Sequence, residues 1–407
     1  MFDPEVNPDR IEKAELIVAI PSYNEADSIS YPVFQVSEGL FRYFPDKTTV
    51  IINCDNNSPD NTKKTFLEAP AKVPKIYIST EPGVKGKGNN FRNLFQKVVD
   101  LEAKAIIVVD ADVKSITPEW IKHLADPLYN GFAYVAPLYV RHKYDGTITN
   151  GIAYPMTRAL YGRRVRQPIG GEFGFSGELA KTYIHSSIWD EAVANFGIDI
   201  WMTTVALSQG AAVCQSFMGR PKIHRPKDPA ASLGPMFRQV VGTIFSLACQ
   251  FESLWLKVKY SKPTAIYGFG LGEVEMPPKV DVDTEKLLND FHRGFQEYGE
   301  IWESIFAKDI SAKLLEIRGM KRTVFTFPTD LWARVLYDMV VGYRDNVFDR
   351  DLMMDSLVPL YFGRTFSFVK KTKRMSTRQA EDAIEEDCMT FEMTKPYFVK
   401  RWMEKKQ

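Results

Sequence analysis

Two aspartates, Asp110 and Asp112, close an apolar, largely β-branched run in the segment AIIVVDADV, residues Ala105–Val113. A short run of this kind reads as a buried parallel strand, and carboxylates just past its end face the crevice where open α/β sheets bind ligands. Side chains alternate along an extended strand, so both carboxylates would point one way, with Ala111 turned aside, and share one hard divalent cation. That cation could hold a pyrophosphate. The plain alternative, a strand capped by two solvated turn aspartates, is the commoner outcome for an isolated DxD. Further polar clusters along the chain shift the balance.

The first of these is Pro21-Ser22-Tyr23-Asn24-Glu25, short hydrogen-bonding groups at a strand exit that suit a ribose or a base edge. Asp55, with Ser58 and Asp60 before a helix starting near Asn61, could receive a base or simply cap that helix. The loop Glu81–Asn90 brings three glycines and two lysines to the start of a helix over Phe91–Asp100, an arrangement for phosphate at a helix N-terminus. It is neither a Walker A loop nor a GxGxxG fingerprint. Gly170 and Gly171 allow close backbone approach to a ligand, and Glu172 directly after them can accept hydrogen bonds from sugar hydroxyls; a tight turn is the simpler reading. Asp199 stands among apolar residues where a helix begins, either as its cap or facing a reacting hydroxyl. His224 lies in the basic loop Lys222–Asp228 and could complete a metal shell with Asp112 and Asp110, a mixed oxygen and nitrogen set suited to manganese or magnesium.

The elements that must position these groups alternate strand, polar loop and helix through the first half. Glu15–Ile20, Val50–Cys54, Lys75–Ser79 and the DxD segment read as strands, each ending in polar loop chemistry. The pattern predicts an α/β fold: a mostly parallel open sheet flanked by helices, with its loops gathered at the carboxyl edge. After about Phe237 the periodicity becomes helical, with Leu287, Phe291, Phe295, Tyr298, Trp302 and Phe306 at spacings of three and four and Leu331, Val335, Met339 and Tyr343 likewise. These stripes read as packing. The proline- and glycine-containing stretch Lys262–Pro278 reads as a connection into this helical part, and the charged segment from Thr372 as a solvated outer helix or arm. The expected division is residues 1–236 as the binding and catalytic domain and 237–407 as a mainly helical region, through which a homodimer or higher oligomer could form.

A chain of 407 residues can bury a sizeable core, and 52 basic against 51 acidic residues leave a formal charge of +1, so no global field points to nucleic acid or an anionic membrane. The cysteines, Cys54, Cys214, Cys249 and Cys388, fit neither a CxxC metal site nor a disulfide framework, which suggests a reducing compartment. The first residues lack signal-peptide character, and the greasiest stretch, Val240–Phe251, is shorter than the roughly 20 apolar residues of a membrane span. A cytoplasmic protein is expected.

Taken in order, PSYNE, CDNNSPDN, GVKGKGNN, VVDADV, QPIGGEFG, FGIDIW and KIHRPKDP make residues 15 to 230 resemble the retaining GT-A glycosyltransferases that form glucosyl-3-phosphoglycerate and mannosylglycerate. The helical C-terminal part is similar to the appendage of the mannosylglycerate enzymes. The resemblance implies a GT-A, Rossmann-like sheet, a divalent metal (Mg or Mn), a GDP- or UDP-linked hexose donor and a small carboxylate acceptor such as D-glycerate or 3-phosphoglycerate, in the chemistry of compatible-solute synthesis. It implies that Pro21, Tyr23 and Glu25 line the nucleoside pocket, with Asp55 at the base, Lys87 near the phosphates and Asp110 by the ribose or sugar. Asp112 and His224 would ligate metal, Glu172 on the Gly171 turn would hold the donor sugar, and Asp199 would lie near donor and acceptor. Thr149 would contact the acceptor, with Arg225 as a further cationic contact. Thr147 stands where the phosphoglycerate enzymes carry an arginine, which favours glycerate or another small carboxylate. Retention would follow from front-face attack assisted by the leaving phosphate. The rival readings are an inverting GT-A transferase with another acceptor and a non-catalytic nucleotide-sugar-binding protein.

Overall fold

The computed structural model describes residues 4–224, 229–268 and 275–404, with side chains omitted for 229–233. The chain divides into two compact units. The first comprises Met1–Val140, Val165–Lys227 and Thr264–Pro277, and the second Arg141–Arg164, Asp228–Pro263 and Pro278–Gln407. The division is therefore interleaved instead of falling at one point between 236 and 237.

The first unit is built on nine strands: β1 (Glu5–Val6), β2 (Leu16–Ser22), β3 (Thr49–Asp55), β4 (Lys75–Ser79), β5 (Ala105–Val108), β6 (Tyr134–Leu138), β7 (Phe173–Ser176), β8 (Val213–Phe217) and β9 (Ala265–Tyr267). Their order in the sheet is β1-β4-β3-β2-β5-β7-β6-β8-β9. Strands β4, β3, β2 and β5 run parallel, as do β6, β8 and β9, while β7 is antiparallel to both β5 and β6 and β1 is antiparallel to β4. The chain order reverses where β2 lies between β3 and β5, the kind of switch point at which open sheets bind ligands outside the strands' carboxyl ends. Leu16–Ser22 and Thr49–Asp55 are buried almost throughout, as expected for central strands covered on both faces. Leu16, Val18 and Ile20 of β2, Ala105 and Ile107 of β5, and Val33, Val36 and Leu40 of the helix Ser30–Tyr43 share one apolar cluster. Its cohesion holds the strand ends, and hence the loops, in register.

Two expectations need correction here. The stretch expected to link the units instead contributes β9, which pairs with β8. Strand β5 stops at Val108, two residues before Asp110, and Ala111–Asp112 form a turn. The alternation that was to aim both aspartates the same way therefore does not apply.

The second unit is helical. Pro229–Gln250, Thr284–Ile305, Thr329–Arg344, Arg350–Thr372 and Thr377–Glu404 are its long helices, and the aromatic stripes pack as expected. Phe291 sits edge-on to Phe295 and Phe325, and Tyr337 stacks on Phe398. The last helix is not a solvated arm. Ala380, Ile384, Cys388, Phe391, Phe398 and Trp402 bury one side of it. The charges on that side are matched: Asp387 pairs with Arg364, and the Lys395 ammonium donates to the Trp255 and Val258 carbonyls, both at 2.6 Å. Composition made the segment look exposed because these polar groups are satisfied by partners remote in sequence. No helix among the described residues is long and apolar enough to cross a membrane.

Candidate active site

At the carboxyl edge of the sheet, five charged side chains form a chain of alternating sign. Lys87 lies 3.1 Å from Asp199 Oδ1 and donates to Asp199 Oδ2 at 3.4 Å, and it also reaches Asp110 Oδ1 at 3.1 Å. Asp110 Oδ2 accepts Lys222 at 2.7 Å, and Lys222 reaches Glu172 Oε2 at 2.9 Å. Topology explains the meeting. Val108 of β5 pairs with Phe173 of the antiparallel β7, so Glu172, just before β7, stands beside Asp110, just after β5. Lys87 is the first residue of the helix Lys87–Asp100, and Asp199 lies in the first turn of the helix Ile198–Ser208, where a carboxylate is favoured by the helix dipole.

Glu172 is wholly buried. Tyr139, following β6, donates its hydroxyl to Glu172 Oε2, and the Asp110 amide approaches Oε1 at 3.4 Å. Burial raises the Glu172 carboxyl above its ordinary pKa, with Asp110 adding to the rise and Lys222 opposing it. Burial works against the charge of Lys87, but Asp110 and Asp199 overcome it and hold its pKa above the ordinary lysine value. Lys87 is a cation in this site. Lys222 and Tyr139 were not singled out in the sequence. Lys222 lies two residues before His224, in a loop already marked as chemically interesting, and that was its one signal.

The glycine loops serve the protein's own packing. A Cβ at Gly88 would come within 1.9 Å of the Val193 carbonyl oxygen, and one at Gly86 within 2.3 Å of that of Ala194. These glycines let the start of the Lys87 helix lie against residues 193–195, which the Gly88 amide also bonds through the Asn195 carbonyl at 3.2 Å. Gly171 has φ +88°, and a Cβ there would lie 2.4 Å from Lys222 Nζ and 2.5 Å from Asp110 Oδ2.

On the other side of the switch point, Asp55 is fully buried and takes four hydrogen bonds. They come from the Ser22 hydroxyl (2.7 Å), the Ser58 amide (2.7 Å) and hydroxyl (2.6 Å), and the Tyr77 hydroxyl (2.9 Å). The helix after it, Thr62–Glu68, is served by Asp60, which bonds the Thr62 amide at 3.0 Å and the Ala26 amide at 3.1 Å. Asp55 is thus not the cap. Pro21 is buried within β2, Tyr23 is partly exposed with Lys85 over its ring, and Glu25 bonds Ser28.

Asp110, Asp112 and His224 do not form a common centre: among the described residues no group of three or more His, Cys, Asp or Glu side chains is placed to hold a metal ion. Each Asp110 oxygen instead accepts a lysine. Asp112 differs from Asp110, being half-buried with no hydrogen bond or ion pair among the described residues. His224 is held in the neighbouring strip, where the Ile223 amide donates to Ser115 Oγ at 2.9 Å and the Lys114 amide to the Ile223 carbonyl at 2.7 Å. Asp112 and His224 lie on segments joined by the Lys114–Ile223 hydrogen bond, and a carboxylate with an imidazole is a donor set of the kind divalent ions take. In the second unit Thr149 starts a π-helical turn, Thr149–Ala153, and is buried. Arg225 lies outside the described residues.

Residues 17–178, under half of the chain, match the family model described as Glycosyl transferase family 2. Two curated relatives extend the likeness. A mannosylglycerate synthase of Rhodothermus marinus is 26% identical over 200 residues, covering 47% of this chain and 48% of the relative. A glucosyl-3-phosphoglycerate synthase of Mycolicibacterium paratuberculosis is 25% identical over 250 residues, covering 56% of this chain and 71% of the relative. The match thus spans about half the length of the first. Among solved structures, glucosyl-3-phosphoglycerate synthase from Mycobacterium tuberculosis in complex with Mn2+, uridine diphosphate and glucosyl-3-phosphoglycerate is similar at a TM-score of 0.45 and 23% identity, covering 57% of this chain and 80% of that chain.

Proposed function

We propose that the protein transfers a hexose from a UDP- or GDP-linked donor to a small acidic acceptor such as D-glycerate or 3-phosphoglycerate, with retention at the anomeric carbon. The observation that carries the reading is the network Asp199–Lys87–Asp110–Lys222–Glu172 at the sheet's carboxyl edge, three of whose members, Lys87, Asp110 and Glu172, fall within the stretch that matches the glycosyl transferase family 2 model. The names of the two curated relatives supply the acceptor class.

In this reading Pro21, Tyr23, Glu25 and Asp55 shape the nucleoside pocket, with Asp55 bracing the loop through its four hydrogen bonds. Lys87 turns its charge toward the diphosphate and stabilises the negative charge growing on the departing group. Glu172 and Asp199 orient the sugar, and Asp110 holds both lysines in place so that little reorganisation is needed at the moment of transfer. Arg225 is assigned to the acceptor. The network contains three carboxylates and two ammoniums, so its own cations are already matched before a diphosphate arrives. Asp112 and His224 would hold a divalent ion, Mg or Mn, which supplies Lewis-acid neutralisation of the leaving diphosphate when bound. Cytoplasmic location and self-association through the helical unit belong to the same proposal.

The test is a screen of UDP- and GDP-sugars against D-glycerate and 3-phosphoglycerate with Mn2+, reading nucleoside diphosphate release. Acceptor-dependent release with one donor is expected. Binding of a donor without release under any pairing would favour the non-catalytic reading.

A further inference from the structure

Lys222 is not assigned to the donor, the acceptor or the metal in the reading above, yet it is a nearly buried cation at the sheet edge. Its side chain is only 7% exposed. Its ammonium meets three acceptors, Asp110 Oδ2 at 2.7 Å, Glu172 Oε2 at 2.9 Å and the Gly170 carbonyl at 3.0 Å. An ammonium has three donors, so these contacts can use all of them and leave none for a substrate. They tie together three separate segments: the turn after β5, the turn before β7 and the loop after β8. The Gly171 backbone accommodates this tripod, since a methyl group there would occupy the space of the ammonium and of the Asp110 carboxylate.

We propose that Lys222 is a positioning residue for recognition of the donor's sugar. It fixes the Glu172 carboxylate against Asp110, so that the sugar meets Glu172 at a set place, while the nucleoside and diphosphate are gripped elsewhere. The inference rests on the glycosyl-transfer reading of this site. It assigns to Lys222 the sugar-dependent part of donor affinity.

Calorimetric titrations of the full chain in Mn2+ with UDP, UDP-glucose, GDP and GDP-mannose test this, comparing wild type with Lys222→Met and Gly171→Ala. The second variant keeps the lysine and displaces it, which covers the case in which removing the buried charge prevents folding. The expected result is a loss of about tenfold or more in affinity for the sugar nucleotide, with the matching nucleoside diphosphate and Mn2+ alone bound within about threefold of wild type. That size corresponds to about one to two hydrogen bonds to charged groups. The proposal is overturned if the preference for sugar nucleotide over nucleotide is unchanged in both variants, or if affinity for nucleotide and sugar nucleotide falls in parallel. If wild type binds none of the four nucleotides, the glycosyl-transfer reading itself fails and this inference with it.

Discussion

The two aspartates of the DxD segment should respond differently to the same isosteric change. Asp110→Asn removes the charge that both Lys87 and Lys222 face, and breaking a buried ion pair by deleting one partner costs about 3–5 kcal/mol. Each lysine keeps a second carboxylate, Asp199 at 3.1 Å for Lys87 and Glu172 at 2.9 Å for Lys222. The lower end, about 3 kcal/mol, is therefore expected. Asp112 has no partner among the described residues, and Asp112→Asn should stay within about 0.5 kcal/mol. Urea unfolding followed by far-UV circular dichroism measures both on one scale. Because the two units can unfold separately, the first transition of each variant is compared with that of wild type. Equal costs for the two substitutions, or an Asp110→Asn variant as stable as wild type, would refute the assignment of charge pairing to Asp110.

Three other outcomes are expected. Gly88→Ala drives a methyl group to 1.9 Å from a backbone oxygen and should cost more than about 2 kcal/mol, whereas Gly83→Ala, with φ +89° and open space around it, should cost about 1 kcal/mol; thermal melts separate them. Burial lowers the Lys395 pKa from 10.5 to about 8, against a smaller raising effect of Glu392. A lysine depressed in the folded state destabilises the fold while charged, so stability should rise between about pH 8 and 10.5, by at most about 1.4 kcal/mol per pH unit, and Lys395→Met should flatten that rise in a pH series of denaturation curves. Finally, Asp112→Asn and His224→Ala should each weaken Mn2+ binding at least tenfold by calorimetry. Wild-type affinity in both would remove these residues as metal ligands.

The sheet was legible because each central strand is short, continuously apolar and closed by polar residues. Lys75–Ser79 has the bounds read from sequence, and Leu16–Ser22 and Thr49–Asp55 differ from theirs by one or two residues. Asp110, Glu172, Lys87 and Asp199 were legible one by one because each borders a strand or opens a helix, and the structure brings all four together at one edge. The turn at Asp112 was not, since Val109, Ala111 and Val113 carry an alternating pattern past the last sheet bond, from the Val109 amide to the Ala19 carbonyl. Lys222 was not legible because its contact with Asp110 spans 112 residues and depends on β8 lying parallel to β6. The glycines of the Glu81–Asn90 loop were read as a phosphate cradle. Sequence cannot distinguish a glycine needed by a ligand from one needed by the backbone of residues 193–195, which requires Gly86 and Gly88 here.

The most direct test of the glycosyl-transfer account follows the anomeric carbon itself. Donor sugars labelled with 13C at C1 are incubated with the protein, Mn2+ and D-glycerate or 3-phosphoglycerate, and the reaction is followed by NMR. The account expects the donor resonance to be replaced by one coupled to the acceptor with the α configuration kept. A β-linked product would contradict retention, and an unchanged donor signal in every pairing, with the protein folded, would contradict transfer altogether.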